Sequence, residues 1–184
     1  MNFKFEETSV KGVLRITPKV FADDRGFFME SYSKRGFAEA GFKEEFVQDN
    51  HSRSKKGVVR GLHYQLNPSP MGKLLKVVRG KVFDVGVDVR KGSPTFGKWY
   101  GEILSGENHT MLYFPPGIAH GFLCLEDGTE AAYKCTGLYD QKAERALLWN
   151  DPEIAIAWPL DQVGEVIVSE KDKIAPKLKY ADAF

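Results

Sequence analysis

The sequence predicts a mainly β fold, closed as a sandwich or small barrel with a jelly roll as its most natural closure. Three observations carry this. Between Phe46 and Leu138 the chain breaks into eight short apolar runs, each too short for an ordinary helix. Gly, Pro, Asn and Asp punctuate the gaps between them. Helical signals are confined to two short stretches, so the helices should be few and peripheral. A length of 184 residues suffices for one domain with a substantial core and does not require two, so residues 1–184 are read as a single unit.

In chain order, Phe3 to Phe5 and Val13 to Ile16 are expected as early strands, the second interrupted by Pro18. Asp23-Asp24-Arg25-Gly26 is a turn signal leading into a strand over Phe27 to Tyr32. Lys34 to Ala40, closed by Gly41, is the first helix. The eight β runs follow: 46–48, 58–62, 74–78, 82–89, 99–104, 111–114, 121–125 and 131–138. Arg79-Gly80-Lys81 and Glu126-Asp127-Gly128-Thr129 are the clearest hairpin connections. Beyond Tyr139 the texture changes. Asp140 to Ala146 is charged and predicts a loop or one helical turn, and Trp149-Asn150-Asp151-Pro152 a turn. Ser169, with Asp172 three residues later, opens a short capped helix that Pro176 ends. With no repeat or linker in sight, the tail should pack on the β body.

Charge excludes some partners. Lys plus Arg number 26 against 25 Asp plus Glu, so no global field draws the protein to nucleic acid or an anionic membrane. No run approaches the roughly 20 apolar residues of a membrane span, and the start lacks a charged lead followed by an apolar block. A soluble, cytoplasmic chain is expected. Cys124 and Cys135 lie in apolar contexts without metal-type spacing and should be buried, reduced thiols.

The stretch that organises the chemistry is Val58-Val59-Arg60-Gly61-Leu62-His63-Tyr64-Gln65. Its apolar lead-in predicts a strand ending near Gly61, with Arg60, His63 and Gln65 in a compact polar group beyond. The pKa of histidine near neutrality suits His63 to proton transfer. A second cluster is Pro115-Pro116-Gly117-Ile118-Ala119-His120-Gly121-Phe122.

The spacing of that second cluster resembles the second signature of the cupin superfamily, and Gly57 with His63 resembles the first. The first signature wants a second histidine where Gln65 stands. Two histidines alone make a poor metal site, so no metal is expected. Taken together, Asp24 to Glu30, Gln48-Asp49-Asn50, Arg60 to Gln65, Lys73, Lys81 to Arg90, Gly92 to Gly97, Pro116 to Phe122, Tyr133 to Tyr139 and Ser169 to Asp172 resemble the dTDP-4-dehydrorhamnose 3,5-epimerase family, in family order across most of the chain.

The resemblance implies a cupin-type double-stranded β-helix and a metal-independent isomerase. Its substrate would be dTDP-4-dehydro-6-deoxy-D-glucose and its product dTDP-4-dehydro-L-rhamnose, destined for surface polysaccharide such as lipopolysaccharide. The ketone acidifies the hydrogens at carbons 3 and 5, so epimerisation needs a base, an acid across the ring and a cation for the enolate oxygen, and no redox cofactor. The resemblance implies His63 as base with Asp172 orienting it, Tyr133 as proton donor and Lys73 as the cation. Asp172 also closes the box that Ser169 opens, and both roles can hold together. Arg25, Arg60, Lys171 and His120 are implied to meet the diphosphate and sugar. Glu30, Gln48, Asn50 and Glu144 are implied polar contacts, and Tyr139 with Phe27 the aromatics against thymine. A homodimer is implied as well. Relatives that epimerise only one of the two carbons share most of these blocks, and a metal-dependent cupin or a non-catalytic sugar-nucleotide binder are the competing classes.

Overall fold

The computed structural model describes residues 2–184. Its strands are β1 Phe3–Glu7, β2 Leu14–Pro18, β3 Val20–Asp23, β4 Gly26–Met29, β5 Gln48–Ser54, β6 Val58–Gln65, β7 Lys73–Arg79, β8 Lys81–Asp88, β9 Trp99–Ser105, β10 Met111–Phe114, β11 Ile118–Cys124, β12 Thr129–Cys135, β13 Glu144–Ala146 and β14 Ile167–Val168. Two short α-helices, α1 Lys34–Glu39 and α2 Glu170–Lys173, lie outside them. One sheet runs β1-β2-β10-β7-β12-β5 and the facing one β13-β6-β11-β8-β9, with β14 added in parallel to β6. The mainly β expectation holds, and from β5 to β8 and again from β9 to β13 successive strands alternate between the two sheets, as in a jelly roll.

That alternation corrects both expected hairpins. Arg79-Gly80-Lys81 carries the chain from β7 to β8, and Glu126 to Thr129 from β11 to β12, each crossing from one sheet to the other. A glycine turn between apolar runs specifies only that the chain reverses, and reversal across a core leaves the same signature as reversal within a sheet. Three boundaries also move. The expected strand 27–32 is a separate hairpin, β3 with β4, whose first arm was not foreseen. The strand expected at 46–48 begins at Gln48 and continues through polar residues to Ser54, paired with β12. The 140–146 segment contributes β13, an edge strand on β6.

The inner faces meet in a core of Leu75, Val77, Val82, Leu104, Leu112, Phe114, Ile118, Phe122, Cys124 and Ala131. Burying such side chains, at roughly 1.5–3 kcal/mol each, is what holds the two sheets together. Helix α1, capped by Ser33, covers the outside of the first sheet with Phe37 inside an aromatic cluster. The C-terminal segment covers the second sheet, where Trp158, Leu178 and Phe184 pack against Leu62, Val87 and Leu147. Both cysteines are buried and unpaired. No helix among the described residues is long and apolar enough to cross a membrane.

Candidate active site

One end of the β body carries a polar cleft. It consists of two adjoining cavities of ≈ 440 and ≈ 520 Å³ that share Ser52, Arg60, His63, Lys73 and Tyr133. A departure from strand periodicity lets β6 supply both Arg60 and His63. Strict alternation would send residues three apart to opposite faces. Here His120 pairs with His63 and Phe122 with Arg60, so Gly61 and Leu62 together oppose Gly121, and this bulge brings both polar side chains inward. Gly61 is required there. Its φ is +113°, and a Cβ would lie 2.6 Å from His120 O. The strand thus continues through the polar group to Gln65 and does not end at Gly61.

His63 Nε2 lies 2.7 Å from Asp172 Oδ1. Asp172 is buried, and its other oxygen faces the Gly61 amide at 3.5 Å. Burial alone would raise the Asp172 pKa, but the bonds from His63, Ser169 and Gly61 outweigh it and hold the carboxyl below its ordinary range. Helix α2 supplies this geometry: Ser169 Oγ accepts from the Asp172 amide, so the cap orients the turn while the Asp172 carboxylate is free to reach His63.

The facing sheet contributes Tyr133 from β12 and Lys73 from β7. Burial raises the Tyr133 pKa, with Arg60 and Asn50 acting against it, so the phenol stays protonated through the neutral range. Lys73 Nζ donates to His63 O at 3.3 Å. Burial lowers its pKa, and Cys135, Glu144 and Asp84 oppose the shift. His120 is buried and pairs with Asp84 at 2.7 Å. Asp84 was not foreseen as part of the site, although a carboxylate inside the apolar run 82–89 is itself a signal that something polar must meet it.

At the mouth, Gln48 Oε1 accepts from the Tyr139 amide and Gln48 Nε2 donates to Asn50 Oδ1. The Tyr139 hydroxyl donates to Glu144, which also receives Lys171 Nζ at 2.5 Å. Tyr139 itself is 56% exposed, its ring open to a ligand.

Three expected binding residues are not brought to this cleft. Arg25 is exposed and pairs with Asp23, Phe27 lies against the His109 ring at 4.6 Å, and Glu30 accepts from Asn2. All three belong to, or closely follow, the β3–β4 hairpin, which pairs with neither main sheet. Gln65, where the first cupin signature carries histidine, commits its amide to backbone groups.

A family model described as dTDP-4-dehydrorhamnose 3,5-epimerase matches residues 7–180. The chain is 53% identical over 179 residues to the dTDP-4-dehydrorhamnose 3,5-epimerase of Shigella flexneri, covering 97% of each. Its fold superposes at a TM-score of 0.92, with 46% identity, on the dTDP-6-deoxy-D-glucose-3,5-epimerase of Legionella pneumophila in complex with dTDP-4-keto-L-rhamnose, over 98% of this chain and 95% of that one. The Bacillus anthracis dTDP-4-dehydrorhamnose 3,5-epimerase with TDP and pyrophosphate bound gives 0.90 and 45% identity, over 95% and 99%. A paired histidine and carboxylate in one cleft with a phenol and an amine, on a fold shared at this level, lead to one conclusion: the chain belongs to the dTDP-4-dehydrorhamnose 3,5-epimerase family of cupin-type isomerases.

Proposed function

We propose that this isomerase works with His63 as the base that removes the acidic hydrogens beside the ketone of dTDP-4-dehydro-6-deoxy-D-glucose. Asp172 fixes the imidazole and stabilises its cationic form. Lys73 stabilises the enolate oxygen, and Tyr133, on the opposite sheet, returns a proton to the other ring face at carbon 5. The observation that carries this reading is the 2.7 Å His63–Asp172 contact in a cleft that Tyr133 borders from across the barrel. Arg60, His120 and Lys171 receive the diphosphate and sugar. Gln48, Asn50, Glu144 and Tyr139 receive the thymidine end.

The working form in this reading is a homodimer. Val20, Phe21, Phe27 and Phe28 leave the β3–β4 hairpin strongly apolar and exposed, and Arg25, Phe27 and Glu30 would complete the cleft of a second copy. The reaction is placed in the cytoplasm, which suits two reduced thiols, and its product in the supply of rhamnose for surface polysaccharide.

Incubation with the substrate in deuterium oxide, followed by NMR, tests the assignment. Label at carbons 3 and 5 with accumulation of dTDP-4-dehydro-L-rhamnose is the expected result. Label at one carbon would replace it with a monoepimerase, and binding without exchange with a binding module.

A further inference from the structure

Gln65 stands where a metal-binding cupin carries a histidine, and its amide is fully used. It is buried, at 4% exposure. Nε2 donates to Ser69 O at 2.7 Å and to Leu138 O at 3.2 Å, while Oε1 accepts from the Asp140 amide at 2.9 Å. Leu138 and Asp140 are the two neighbours of Tyr139, so one side chain brackets that residue from both sides. Leu138 and Tyr139 are 66% and 56% exposed, leaving the segment little apolar packing of its own to fix its path.

We infer that Gln65 is a positioning residue for nucleotide recognition: its amide holds the 138–140 turn so that the Tyr139 ring is presented ready to stack. This inference rests on the reading of Tyr139 as the base-stacking aromatic. The bracket takes one donor and one acceptor from a single amide, and the second donor anchors that amide to Ser69 O. A neutral imidazole offers one of each, and a carboxylate offers no donor to the two carbonyls it would face. The position that would have bound a metal is spent on preorganising the loop, which lowers the ordering cost of binding.

The test measures dTDP binding by calorimetry for the wild type, Gln65→Leu, Gln65→Glu, Tyr139→Ala and the Gln65→Leu/Tyr139→Ala pair, alongside kcat with saturating substrate. The Gln65 variants are expected to raise the dTDP Kd about tenfold, the scale of a lost base–aromatic stack, with kcat held within about twofold. In the Tyr139→Ala background the Gln65→Leu effect is expected to vanish. An equal penalty in both backgrounds, or a fall in kcat with dTDP affinity intact, overturns the inference. Tyr139→Ala without effect on dTDP affinity overturns the stacking reading instead, and the inference with it. Should the substituted chains fail to fold, hydrogen exchange on the wild type decides: the Asp140 amide is expected to exchange slowly despite its loop position, and fast exchange removes the bracket.

Discussion

His63 and His120 sit directly opposite one another on paired strands, yet each turns its Nε2 to a different carboxylate, Asp172 and Asp84, at 2.7 Å in both cases. The two pairs differ in burial. His120 and Asp84 are enclosed, and burial pushes the histidine pKa down and the Asp84 carboxyl up, which favours a pair without separated charge. The His63 side chain keeps 28% exposure and opens to the cleft. Of the two, His63 is the one placed to exchange protons with a ligand.

Asp172→Asn is therefore expected to lower kcat by roughly 10²–10⁴-fold while the fold survives, because an amide can hold the wrong imidazole tautomer and cannot stabilise the cation. Steady-state epimerisation with circular dichroism as a control checks it. Unchanged kcat would remove Asp172 from the mechanism.

His63→Ala should abolish both solvent deuterium uptake and turnover. Tyr133→Phe should separate the two: the base still exchanges protons, but nothing delivers one to the opposite face, so label enters while the carbon 5 epimer fails to form. NMR of the sugar ring after incubation in deuterium oxide reads both. Undiminished product from Tyr133→Phe would refute its role.

Lys73 must be cationic to stabilise an enolate, and burial lowers its pKa below the ordinary lysine value of 10.5. A lysine is charged below its pKa, so activity should fall on the alkaline side before free lysine would titrate. Burial raises the Tyr133 phenol above its ordinary value, so it holds its proton to higher pH than a free tyrosine. A pH profile of kcat shows the limb in the wild type, and Lys73→Met should lose it along with most of the rate.

Much of this was legible beforehand, and the failures have physical causes. Apolar strands announced themselves, but β5 did so only at its first residue, because Gln48, Asn50 and Ser52 line a polar cleft and the strand carries no hydrophobic alternation. Arg60 and His63 could be named from their motif. Their shared orientation could not, since it depends on a bulge created by the pairing of β6 with β11. The Gly92 to Gly97 block matched the family, and its purpose emerges only in three dimensions. Ser93 and Thr95, with Arg90, surround the buried carboxylate of Asp88.

That knot yields a stability prediction. Burial alone would raise the Asp88 pKa, but the bonds from Arg90, Ser93 and Thr95 bring it down from 3.8 to about 2. A depressed folded-state pKa contributes stability that is complete above the unfolded value and is lost as pH falls through the folded one. By linkage the shift is worth about 2 kcal/mol at neutral pH. Urea unfolding should show Asp88→Asn less stable than wild type at pH 7, with the difference shrinking as pH falls from about 4 toward 2. A gap independent of pH would mean that packing, and not the charge, is what Asp88 contributes.

Arg25 provides the test of the second copy. In one chain it meets Asp23 at the tip of the β3–β4 hairpin and does not line the cleft. If the hairpin completes a partner's site, Arg25→Ala and His63→Ala chains should each be weakly active or inactive alone yet regain activity when co-expressed. A mixed dimer then contains one site with the native His63 of one subunit and the native Arg25 of the other. Random pairing makes half the dimers mixed with one intact site each, so about a quarter of wild-type activity is expected. If Arg25 acted within its own chain, mixing would place no intact pair in any cleft, and the co-expressed protein would show only the average of the two variants.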